Sequence, residues 1–134
     1  MTSLDALLRR ASRIAEQQFN KKRGTLDTFM LVEMADGKQE IIFYRTQGKD
    51  ALAELFRANR VQRYVVAIKG WIRDKLTPAD GSESIVLIGE GGDDACWSFR
   101  DIIRTSNGAF LGKLGPIDRP THAEAPFFGF RNVR

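Results

Sequence analysis

The chain has 134 residues, enough for one compact domain that buries roughly two-thirds of its unfolded surface. Its single cysteine, Cys96, excludes an internal disulfide and a cysteine-rich zinc site, and suits a reducing cytoplasm. A net charge of +4 admits an anionic partner without requiring one, and no apolar run nears the ~20 residues that span a membrane.

The chain opens on "MTSLDALLRRASRIAEQQF", whose apolar positions are broken by charges, so we expect neither a signal peptide nor a membrane anchor. Leu4, Leu7, Leu8, Ala11, Ile14, Ala15 and Phe19 recur at helical spacing and predict one apolar stripe. Thr2 or Ser3 can cap this helix, Asp5 suits the positive end of its dipole, and Gly24 can end it. Arg9, Arg10 and Arg13 fall on the side away from the stripe, followed by Lys21, Lys22 and Arg23.

Two β-prone runs then flank Asp36-Gly37, a strong hairpin signal. Phe29 to Val32 and Ile41 to Tyr44 carry apolar groups on both faces, so we expect both strands to be covered on both sides. "GKDALAELFRANR" predicts a short second helix. If the strands on either side of it are parallel neighbours, it is their crossover. A long strand follows from Tyr64 to about Arg73, then a loop marked by Pro78 and Gly81. "SIVLIGE" and "ACWSFRDIIR" form a second hairpin whose turn is read at "GGDD". "TSNG" turns the chain again, and "AFLGKL" supplies a short last strand.

The expected fold is α+β: a mostly antiparallel five- or six-stranded sheet with two helices, in the order αββαβββ. We expect a single domain over residues 1–114. Residues 115–134 should form an irregular aromatic tail, because Pro116, Pro120 and Pro126 forbid a long regular element.

Candidate sites are few. His122-Ala123-Glu124, followed by Pro126, spells half of a zinc-deaminase signature, but Phe127, Phe128 and Gly129 stand where its cysteine ligands belong. The order helix, hairpin, helix, strand over residues 4–73 resembles the deaminase-like fold in outline, without that family's catalytic residues. We therefore expect no metal and no other cofactor. The weak metal candidates are His122, Asp93 and Asp94, with Glu90 as a further loop carboxylate. Cys96 on a strand reads as a buried inert thiol. Asp36-Gly37-Lys38 reads as turn chemistry.

Two kinds of binding surface remain. Phe127, Phe128 and Phe130, with Trp71, form an aromatic set that should fold back on the domain or reach another subunit. Arg9, Arg10, Arg13, Lys21, Lys22 and Arg23 form a possible anion-binding set, with Arg57, Arg60, Arg63, Arg131 and Arg134 as further cations. The sequence thus points to a non-enzymatic binding or assembly module that self-associates. The alternatives are a nucleic-acid-associated protein using its basic helix, and a metal-dependent enzyme around His122 and the acidic loop.

Overall fold

The computed structural model of the protein describes residues 3–43, 54, 57–58, 60–71, 83–91 and 94–119, with backbone alone at Gly70 and Trp71. One helix, α1 (Leu4–Lys21), precedes six strands: β1 (Phe29–Met34), β2 (Gln39–Phe43), β3 (Val61–Trp71), β4 (Glu83–Gly91), β5 (Asp94–Thr105) and β6 (Gly108–Leu111). The strands form one sheet in the order β2-β1-β3-β4-β5-β6, antiparallel throughout.

The α1 signals act as read. Ser3 is the N-cap and its Oγ accepts from the Ala6 amide at 3.1 Å; Asp5 lies in the first turn. At the other end Arg23 and Gly24 both take left-handed backbone angles, and the Gly24 amide donates to the Phe19 carbonyl at 2.9 Å. The reversal satisfies a carbonyl that the helix would otherwise leave open.

The apolar stripe of α1 lies chiefly over β3 and β4. Leu7, Leu8, Ala11 and Phe19 pack with Leu31, Val65, Ala67, Ile85, Leu87 and Cys96 from the near face of the sheet. Burial of each large aliphatic or aromatic group here contributes about 1.5–3 kcal/mol. The far face carries a second cluster of Met30, Val32, Val61, Tyr64 and Val66.

The β1–β2 turn is closed by Asp36 Oδ1, which accepts from the Lys38 amide at 2.9 Å, while Gly37 supplies a left-handed angle. After β6 the chain stays beside β5. The Gly112 amide donates to Asp101, the Gly115 amide to Phe99, and Asp118 exchanges two bonds of 2.9 Å with Trp97.

Four expectations need correction. One helix forms among the described residues against the two expected, and most of the segment read as the second lies outside them. β2 and β3 are not neighbours: β1 stands between them and is antiparallel to both. The claim that both hairpin strands are covered on both sides holds for β1 and fails for β2, where Ile41 and Phe43 are exposed. Finally, Gly91 and Asp94, read as the ends of the GGDD turn, are the last residue of β4 and the first of β5. A Cβ at Gly89 would meet Leu4 of α1 and Val65 at 3.1 Å each, and one at Gly91 would come within 2.4 Å of the Arg63 Cβ. These glycines are places where neighbours press against backbone.

Candidate binding surfaces

The charged groups of α1 divide into two sets. Its two carboxylates are engaged. Glu16 takes Arg100 Nη2 at 3.0 Å, and Asp5 takes Arg119 Nη2 at 2.5 Å. Arg100 is buried on the near face and also donates from Nε to the Gly112 carbonyl at 2.7 Å, with longer contacts of 3.5 Å to Ser12. It ties α1 to β5 and to the chain after β6. Arg119 also reaches Asp94 at 3.3 Å, and its bond to Asp5 raises its pKa further above the ordinary arginine range.

The cations of the predicted anion-binding set are all exposed. Lys22 pairs with Asp27. Arg9, Arg10, Arg13, Lys21 and Arg23 make no ion pair among the described residues. Beside the last of them lies an open groove of about 530 Å³ lined by Asn20, Arg23, Gly24, Thr105 and Asn107. Two other candidate cations are committed elsewhere: Arg57 to Glu54 at 2.6 Å, and Arg63 to Glu33 at the end of the β1–β3 pairing. Arg60 lies at a left-handed bend before β3. Arg131 and Arg134 lie outside the described residues.

The second surface is the β2 edge. Ile41 is 42% and Phe43 54% exposed, both on the near face but beyond the reach of α1. Phe43 is held by Phe29, ring centres 6.2 Å apart at 59°. Among the described residues β2 pairs only with β1. The sequence predicts this strand to be covered on both sides, because an apolar run cannot show where a helix stops covering a sheet.

The two metal candidates among the described residues, Glu90 and Asp94, lie on opposite faces of the sheet. Glu90 is buried on the far face, where Tyr64 donates its hydroxyl to it. Asp94 follows the near-face register opposite Gly91 and serves Arg119. Asp93 and His122 lie outside the described residues, and among those described no three His, Cys, Asp or Glu side chains group as metal ligands. The Tyr64–Glu90 pair was not foreseen, because the register that sets Glu90 opposite Tyr64 is visible only once β3 and β4 pair.

Cys96 is fully buried under α1, as expected. Burial pushes its thiol up to about 12, with Asp5 and Asp94 adding to the rise and Arg119 opposing it. At the far end of β4, the bond from Arg104 holds the Glu83 carboxyl below its ordinary range. The aromatic tail residues Phe127, Phe128 and Phe130 lie outside the described residues, as does the Trp71 side chain. On the far face Trp97 and Phe99 stack at 6.5 Å and 19°.

No helix among the described residues is long and apolar enough to cross a membrane. No family model matches the chain, and no curated protein and no solved structure matches it.

Proposed function

We propose that this protein is a small cytoplasmic binding module that assembles with a second copy of itself along β2. The observation that carries this reading is the exposure of Ile41 and Phe43 on an edge strand. Edge strands are commonly blunted by lysine, proline or a bulge. β2 has none of these; its one charge is Glu40. Antiparallel pairing of two β2 strands about Ile41 sets Ile41 against Ile41, Glu40 against Ile42, and Gln39 against Phe43. No like charges meet, and the contact is isologous, as a two-fold dimer requires.

The reading is one of binding because the buried ionisable groups among the described residues serve the fold. Arg100 holds α1, Glu33 holds Arg63 and Gln39, and Glu90 accepts from Tyr64. The buried Cys96 thiol suits a reducing compartment. Light scattering at micromolar concentration tests the assembly. The wild type should run as a dimer and Ile41→Lys as a folded monomer, since the new charge sits at the symmetry axis. A wild-type monomer across that range, or a variant that stays dimeric, removes the β2 interface.

A further inference from the structure

We propose that the outer face of α1 binds the phosphate backbone of nucleic acid. The inference is independent of the β2 edge and rests on how the helix distributes its charge.

At 100° per residue, the arc from Arg9 to Lys21 that faces away from the sheet carries Arg10 and Arg13 as well. The other residues on it are Ala6, Gln17 and Asn20, and every one of these positions is exposed. No carboxylate lies within the arc. Asp5 and Glu16 lie just beyond its Arg9 edge, and each is drawn off by an arginine from elsewhere in the fold. A face that served only to keep a helix solvated would alternate its signs, because oppositely charged pairs three or four residues apart are stabilising. Here Arg9 and Arg13 are four apart, and Arg10 and Arg13 three apart. Each like-charged pair is destabilising, and neither packing nor an ion pair among the described residues offsets it.

The geometry favours a phosphate polymer over an acidic protein loop. Arg9, Arg13, Gln17 and Lys21 fall on one row at four-residue steps, about 6 Å apart along an axis of about 18 Å. A regular row of donors suits regularly repeated acceptors. Three of the four cations on this arc are arginines, whose planar forks take two phosphate oxygens at once. At the end of the row, Asn20 and Arg23 line the groove beside Thr105 and Asn107, which adds neutral donors where the strand would leave the helix.

The test is fluorescence anisotropy of a short labelled DNA duplex of mixed sequence, titrated with the full chain at several salt concentrations. Four cations predict that log K falls against log salt with a slope of about −3.6. The R9E/R10E/R13E variant should bind at least tenfold more weakly at low salt and show a slope near −1, with its helical circular dichroism unchanged. Should that variant not fold, Arg13→Glu alone should weaken binding several-fold. No binding at low salt would overturn the proposal. So would binding untouched by the substitutions, and so would a poly-glutamate peptide or anionic lipid vesicles binding as tightly as the duplex.

Discussion

The two sides of α1 obey different rules. Toward the sheet, apolar groups are buried and each charged group has a partner: Arg100 meets Glu16, Ser12 and Gly112. Away from the sheet, four cations stand together with no counter-charge among the described residues. The sheet shows the same contrast. Its centre is closed by α1, while at β2 apolar side chains stay exposed. Burial forces a partner upon every polar group, because an unpaired one costs about 1–3 kcal/mol. Exposure removes that demand, so a surface composition that works against itself carries information about binding.

The largest expected effect comes from truncating one phenylalanine in each region. Phe19 is wholly buried where α1 meets the sheet, so Phe19→Ala should cost about 3–5 kcal/mol in urea unfolding. Phe43→Ala, at the edge, should cost less than about 1 kcal/mol in the monomer while weakening self-association. Equal losses at the two sites would mean that β2 is as well packed as the centre. A smaller contrast concerns charge. Arg100→Met removes the bonds to Gly112 and Glu16 and should cost about 2 kcal/mol. Glu16→Gln should cost under about 1 kcal/mol, because Glu16 is partly exposed and Arg100 keeps its backbone partner.

Much of this arrangement was legible in the sequence where the signal is local. The α1 stripe, its Ser3 cap and Gly24 stop, the Asp36-Gly37 turn and the strand runs depend on residues a few positions apart. What stayed hidden depends on pairing between distant strands. Nothing near Gly91 says that Arg63 will press on it, so it reads as a turn, and nothing near Gly89 announces Leu4. Nothing near Ile41 says that α1 will lie over β3 and β4 and leave β2 outside. The basic face was legible as a cluster, but its freedom from counter-charge was not, because Arg100 and Arg119 reach Glu16 and Asp5 from about 84 and 114 residues away.

A pH-dependent effect lies beneath α1, at Cys96. Its folded pKa is raised from 9.0 to about 12, first by burial. Between those values the folded thiol keeps a proton that the unfolded one releases. The stabilising contribution is therefore full below pH about 9 and is lost as pH rises toward 12, at up to ~1.4 kcal/mol per pH unit. A step from pH 9 to 10 should lower unfolding free energy by about 1 kcal/mol in the wild type and leave that part of the loss absent in Cys96→Ala. Alkylation of the native thiol at pH 8 should be slower by orders of magnitude than in urea. Arg119→Ala sharpens the point, since that guanidinium opposes the rise while Asp5 and Asp94 add to it. Its removal should slow alkylation further, provided α1 stays docked. Faster alkylation would show instead that the Arg119 bonds to Asp5 and Asp94 matter chiefly in keeping the helix closed over Cys96.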